Sequence, residues 1–529
     1  MSKISQILDG LQIQKSLILP FTPIPRSITT GNIFMQRTTG SLYVRDSNAE
    51  TLVVGGGSVP QDPTYYISTT GSDSNLGTLG APFATFRKAF ETATMRGWMN
   101  TCSIRFLPGT FQIGDGTPLN YAVSGGTKTA PLTIYGSSTQ VLSPVAGAGA
   151  TFNPALVQTD INYTPGGLVP SALKGKFLHF LATSSAYFAD TFHPITDNSA
   201  TTIGVSSLFA QPVTAADSFE VVESTTQLIT DQTFLLVTVD RPVLFRLLKI
   251  DSGSASFNAT ISLINFLACA LSSTNPVSEG FNFSTSRIVF GNLIRLVQDP
   301  SNQMFADGSI FNSAIVNHEF SQLSLHCGSF ATDSTMTFQA SRVVILVLHS
   351  QDSAIVSESS TGILTLAGFI GQKPGQPQLF ISGSASVNIS QTAFSSTLGI
   401  ALLSQNGKIN VDSCSFDGFA TGIFGTQSDA FIINSSFNAC ISPMFFERGS
   451  RISLDNVTGA NAGSTALTLA SGSNAVATTS VTVTGTNDYK VGGNAAQASP
   501  AWATLPGAPG TVTSDYGLAS PQYCTLQSV

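Results

Sequence analysis

Charge is what this sequence has least of. Asp, Glu, Lys and Arg make up 10% of its 529 residues, against roughly 25% in an average soluble protein. Disorder does not follow, because 42% of the chain is apolar and 36 residues are Phe. Ser, Thr, Asn and Gly supply the polarity instead. β-Branched and aromatic residues at this density favour sheet over helix. A free monomer usually keeps a more charged exterior, so the sparse charge also predicts that other chains cover part of the surface.

Other absences narrow the function. No cluster of Lys or Arg occurs and the formal charge is −7, which removes the phosphate-binding footprint of a nucleic-acid partner. The six cysteines (Cys102, Cys269, Cys327, Cys414, Cys440 and Cys524) include no CxxC pair. They are expected to be buried free thiols, neither metal ligands nor a disulfide framework. No run of about 18 apolar residues exists, so no membrane insertion is expected. Met1 to Gln14 lacks a basic stretch followed by an apolar core, so no secretory signal is expected either. Cytoplasmic synthesis combined with a composition typical of extracellular or virion proteins is reconciled by a virion assembled inside a host cell.

What the sequence does have is a repeat. Val387, Ile409, Ala430 and Ile452 each open a short apolar template, in steps of 22, 21 and 22 residues. Apolar residues stand at template positions 0, 2 and 7, the last being Phe394, Phe416 and Phe437. Alternation points positions 0 and 2 inward, a small polar residue turns the chain, and Phe re-enters the core. A second strand follows in each repeat: Gly399–Leu402, Gly422–Phe424, Pro443–Phe446 and Ala466–Thr468. Looser matches begin at Ile261, Ile288 and Leu323, and Leu132-Thr133-Ile134-Tyr135 looks like an earlier rung. A fixed period of this size made of short strands predicts an all-β chain, a right-handed single-stranded parallel β-helix. Roughly ten rungs at ~4.8 Å would make a shaft on the order of 50 Å long.

Residues 64–111 carry the most specific local pattern. Tyr65-Tyr66-Ile67-Ser68 is a strand, Gly71-Ser72-Asp73-Ser74-Asn75-Leu76-Gly77 a polar loop, Ala81-Pro82-Phe83 the opening of a helix, and Pro108-Gly109-Thr110-Phe111 a turn. The helix should bury Phe83, Phe86, Phe90 and Ala93 on one face. This order resembles the opening of pectate-lyase-like β-helix proteins, in which the helix caps the open end of the coil. The resemblance covers 48 residues and extends to bacteriophage tailspikes and spikes.

The expected organisation is an N-terminal anchor and linker over residues 1–60, the start of the β-helix with its cap helix over 61–136, a loop excursion and inserted β-module over 137–250, the shaft over 251–480 and a C-terminal cap or tail over 481–529. In the anchor, Ser5 to Ile13 reads as a short helix, followed by strand-like pieces at Asn32–Arg37, Ser41–Arg45 and Thr51–Val54. The module, residues 175–223, resembles a small β-module of phage structural proteins.

No residue is assigned a catalytic role, and no cofactor or metal is expected. Asp412 and Asp455 hold the same template position two rungs apart, about 9.6 Å by strand spacing, the outer limit for an inverting glycosidase pair. Solvated turn residues explain them as well. Glu447 is a further candidate, which an ion pair with Arg448 would also explain. The position between the two Asp residues holds Ile433, and Ser390 precedes them, so the stacked acids of a β-helical lyase are missing. His318-Glu319 is the only His with a neighbouring carboxylate, yet a strand sends neighbours to opposite faces. His179, His193, His326 and His349 lack metal-ligand spacing. Asp73 and Asn75 resemble a cation loop but are expected to hold a turn through backbone N–H groups. Gln391, Ser413, Asn434 and Asn456 should form an internal polar ladder at one corner.

The reading that joins these features is a virion structural protein: a spike, fibre or tailspike-like appendage at the virion surface. It is expected to be a homotrimer, to meet other virion proteins through residues 1–60, and to bind host-surface polysaccharide. The alternatives are a polysaccharide hydrolase or lyase on the same β-helix, and a cell-surface adhesin.

Overall fold

The computed structural model describes most of residues 64–290 and 310–498, apart from short internal stretches, and three strands between residues 33 and 54. Those three strands, Ile33–Met35, Leu42–Arg45 and Thr51–Val54, form an antiparallel sheet. The expected helix at Ser5 to Ile13 lies outside the described residues.

The main body is a three-sided parallel β-helix. One side, sheet A, has fifteen strands; the other two, sheets B and C, have thirteen each. A single rung shows the path: Lys408–Asp412 on A, Ser415–Asp417 on B and Thr421–Thr426 on C, before Asp429–Ile433 returns to A. Fourteen steps of ~4.8 Å make sheet A about 65 Å long, longer than expected from the repeat.

Register follows the sequence period. Val387, Ile409, Ala430 and Ile452 are paired in succession. Their side chains and those two residues on are buried, because strand alternation sends both into the coil. Phe394, Phe416 and Phe437 stack inside sheet B, with ring centroids 4.8 and 4.7 Å apart and planes within 6° of parallel. Gly425 makes room for a neighbour: a Cβ there would stand 2.3 Å from the Phe446 ring. Of the looser matches, Ile288 and Leu323 pair as expected, but Ile288 pairs back to Ile264, not to Ile261.

The polar ladder is on the other side of the wall from where the repeat suggested. Gln391, Ser413, Asn434 and Asn456 are exposed and have left-handed backbone, φ between 49° and 55°. That conformation makes the corner, and Asn tolerates it. The following residue turns inward instead, so Ser435 Oγ accepts from the Cys414 N–H. At the corner from C to A a buried serine ladder does the same: Ser428 N–H donates to Ser450 Oγ, and Ser450 N–H to Ser473 Oγ. These hydroxyls satisfy backbone groups that a corner would otherwise bury unpaired. Cys102, Cys269, Cys414 and Cys440 are free and buried. Burial pushes the Cys269 and Cys414 thiols up to about 12 and Cys440 to about 11, which leaves them unreactive.

The helix spans Phe86–Arg96 and starts later than Ala81. Phe83 is held extended, its N–H donating to Tyr66 O and its carbonyl accepting from Ser68 N–H. Asp73 then closes the helix start, accepting from the N–H groups of Ala84 and Thr85 and from Thr85 Oγ1. Asn75 donates to the Pro82 carbonyl. Loop and helix are thus one capped unit. Phe86 reaches Phe106 and Phe234 at 5.7 and 6.2 Å, closing the end of the core. We predict that Asp73→Ala lowers stability by about 1–2 kcal/mol, read by urea unfolding; an unchanged midpoint would contradict this capping role.

The insertion is larger in structure and shorter in sequence than expected. Residues 138–162, expected as part of a loop excursion, supply three strands of a seven-stranded sheet that ends at Ser224. Ser138 and Ser224 pair, so the module enters and leaves at one point, the corner from A to B. The coil resumes at Thr226, where Thr226–Ile229 pairs with Gly109–Gln112, and not at 251. At the other end, strands Val481–Thr484, Asn487–Gly492 and Gln497–Ala498 still belong to sheets B, C and A, although the side-chain pattern fades. Parallel backbone pairing needs no particular side chain, which is why the sequence period ends first.

Candidate surface site

The outer face of sheet A carries two of the residues singled out from the sequence, Asp412 and Asp455. In Lys408–Asp412 the alternation exposes Lys408 and Asn410 and leaves Asp412 half-buried, with Ile409 and Val411 inside. Stacked on it are Asp429, Phe431 and Ile433, and then Arg451, Ser453 and Asp455. Phe431 stands out: the residue is 53% exposed, and its nearest neighbours in the outward column are Asn388, Asn410 and Ser453, before Ile363 and Val476 continue the column on either side. With Ile433 beside it on the same strand, it forms an apolar island rimmed by amides, carboxylates and two cations.

The corner next to this island is a chain of hydrogen-bonded side chains. Asp412 Oδ1 accepts from Ser413 Oγ at 3.0 Å and from Asn434 Nδ2 at 3.2 Å. Asn456 Nδ2 in turn donates to Asn434 Oδ1 at 2.9 Å. This chain of amides orients the Asp412 carboxylate before any ligand arrives. Such preorganised acceptors beside an aromatic face suit a polyhydroxylated ligand, whose C–H faces stack while its hydroxyls donate.

Asp412 and Asp455 are placed as the repeat implied, in one column two rungs apart, about 9.6 Å. Ile433 stands between them, where an inverting pair would need a water. Glu447 is on sheet C, away from both, accepting from Thr426 Oγ1 and pairing with Arg448 at 3.5 Å. His318 and Glu319 lie in the strand Ile315–Glu319, in register with Phe338 and Gln339. His193 is a fully buried histidine of the module, bonded to Thr191 Oγ1 and edge-on to Phe180 and Phe209. Among the described residues no group of three His, Cys, Asp or Glu is arranged to hold a metal ion, and no helix is long and apolar enough to cross a membrane.

Two features escaped the sequence reading. Phe431 was legible: Ala430-Phe431-Ile432-Ile433 breaks the inward/outward alternation, and position 1 of the template faces out. The second is a polar group around His179, built from residues far apart in the chain, for which no sequence signal exists.

No family model matches the sequence, and no curated protein does. Solved structures of similar architecture include the Gp54 tailspike of Acinetobacter baumannii bacteriophage AP22, in complex with that bacterium's capsular saccharide. It is 9% identical, with a TM-score of 0.26, over 80% of this chain and 75% of that one. Geobacillus virus E2 ORF18 is 11% identical, with a TM-score of 0.27, over 88% and 71%. The catalytic domain of a GH87 alpha-1,3-glucanase is 9% identical, with a TM-score of 0.25, over 74% and 96%.

Proposed function

We propose that this parallel β-helix is a virion-surface appendage, a spike, fibre or tailspike-like protein, that attaches to host-surface polysaccharide along the outer face of sheet A. The observation that carries the reading is Phe431, an exposed aromatic residue flanked by Asn410 and Ser453 and close to the hydrogen-bonded Asp412 corner. The same proposal has residues 1–60 joining the shaft to other virion proteins after assembly in the host cytoplasm, and three copies standing side by side. Sheet C supports the last point. Val356, Phe380, Leu403, Phe424 and Phe445 form one outward column over five rungs, with Phe424 and Phe445 stacked at 5.0 Å.

The experiment is to incubate the full-length chain with purified host envelope polysaccharide and follow both binding and product release. Saturable binding without oligosaccharide release, by a particle of trimeric mass in light scattering, is the expected result. A monomer that binds nothing contradicts the proposal. Release of defined oligosaccharides, abolished by Asp412→Asn or Asp455→Asn, would favour the hydrolase or lyase reading instead.

A further inference from the structure

The module meets the shaft through an apolar seam with charged groups on both flanks. Phe177, Phe192 and Val222 of the module are buried with Ala268 of the shaft, and Leu247 and Ala270 pack against them. On one flank Glu223 accepts from Lys176 at 2.7 Å and from Lys249 of the shaft at 2.6 Å. On the other flank the His179 ring lies flat on Phe192, with centroids 4.1 Å apart and planes at 4°. His179 Nδ1 is 3.1 Å from Glu220 Oε1, and its Nε2 is 3.0 Å from Asp190 Oδ1. Asp190 Oδ2 accepts from Arg246 Nη2 of the shaft at 3.0 Å. The Arg246 guanidinium also lies 5.0 Å over the Phe192 ring. Gln140 Nε2 donates to the second oxygen of Glu220.

Both nitrogens of one imidazole therefore face carboxylate oxygens. A neutral imidazole has one N–H and one lone pair, whereas an imidazolium donates from both nitrogens. Only the charged ring makes both bonds at once. The ring and Glu220 are shielded, at 15% and 14% exposed, while Asp190 is 57% exposed.

We propose that His179 is a proton-dependent clasp that holds the inserted module on the shaft, through Asp190 and Arg246. With both nitrogens protonated, His179 fixes Asp190, and Asp190 fixes Arg246. When one proton leaves, a lone pair opposes a carboxylate oxygen, and the exposed Asp190 side gives way. Both bonds need both ring protons, so docking is strongest with His179 charged and weaker once one proton has left. Acid does not promptly reverse this. Hydrogen bonding from His179, with Arg246 beside it, holds the Asp190 carboxyl well below the usual carboxylate range, and Lys176 and Lys249 lower that of Glu223. Among the described residues, the charged groups between module and shaft are Lys174, which donates to Gln351 of the shaft at 2.7 Å, and Lys176, His179, Asp190, Glu220, Glu223, Arg246 and Lys249. Imidazole is the side chain among these types whose charge changes near neutrality.

Hydrogen exchange on the full-length chain tests the clasp, at about pH 5.5 and about pH 8.5, on either side of the imidazole range, with rates corrected for intrinsic pH dependence. Protection of the amides in Phe177–Ala182 and Phe192–Asn198 should be greater at the lower pH. Asp190→Asn should remove the step while keeping protection, because an amide can donate to a neutral ring or accept from a charged one. His179→Gln should remove it too. Equal protection at both pH values in the unaltered protein overturns the proposal whether or not the variants fold. A step that persists in a folded His179→Gln protein overturns it as well.

Discussion

Phe431→Ala is expected to weaken polysaccharide binding by about 10- to 60-fold while leaving the shaft folded. A sugar ring lying on Phe431 would cover about 60–100 Å² of aromatic surface, worth about 1.5–2.5 kcal/mol at ~25 cal/mol/Å², and that energy sets the fold-change. The shaft should not suffer, because the ring is 53% exposed and surface changes away from special features stay within about 0.5 kcal/mol. Phe431→Trp keeps a stacking face and should retain most of the affinity. Isothermal titration with the host polysaccharide checks both variants. Equal dissociation constants for wild type and Phe431→Ala would remove sheet A as the binding face.

Phe416→Ala, one rung earlier and on the inside, should have the opposite profile. Phe416 is wholly buried and sandwiched between Phe394 and Phe437 in near-parallel stacks. Truncation removes the transfer energy of the ring and opens a cavity that neither neighbour can fill, because each is fixed by its own rung. The cost expected is about 3–5 kcal/mol, a large part of the stability of an ordinary domain. Phe416→Leu should cost clearly less, since it fills more of the space. Urea unfolding measures both. A loss under about 1 kcal/mol for the alanine variant would mean that the coil collapses around the gap, and that the Phe ladder is not a principal stabiliser.

The two residues stand for what could and could not be read in advance. Phe416 was placed in the core from the period alone, because a coil that repeats every 21 or 22 residues must bring position 7 to the same wall each time. Phe431 lay in the same template, one residue after the inward Ala430, and strand alternation decides its face without further information. The corner ladder was harder. Asn434 and Asn456 were identified as a stacked pair, but the inside or outside of a left-handed corner depends on the backbone turn, which the period does not specify. The exposed side resulted, and Ser435 took the inner place.

The limits of the coil are not legible in the repeat, for a related reason. Thr226 resumes it and Gln497–Ala498 ends its last described rung, both outside the clear repeat, because parallel strands pair through backbone groups that carry no sequence signature.

By itself, then, the sequence determined the parallel β-helix, the register of its C-terminal rungs, the buried Phe ladder and the column shared by Asp412 and Asp455. All of these follow from local alternation and a fixed period. Only the tertiary structure decided that Glu447 belongs to another side, and that His179, Asp190, Glu220 and Arg246 meet at the seam of the module. Those contacts join residues up to 56 positions apart through the docking of two sheets, and no periodicity in a single chain encodes where one sheet comes to rest on another.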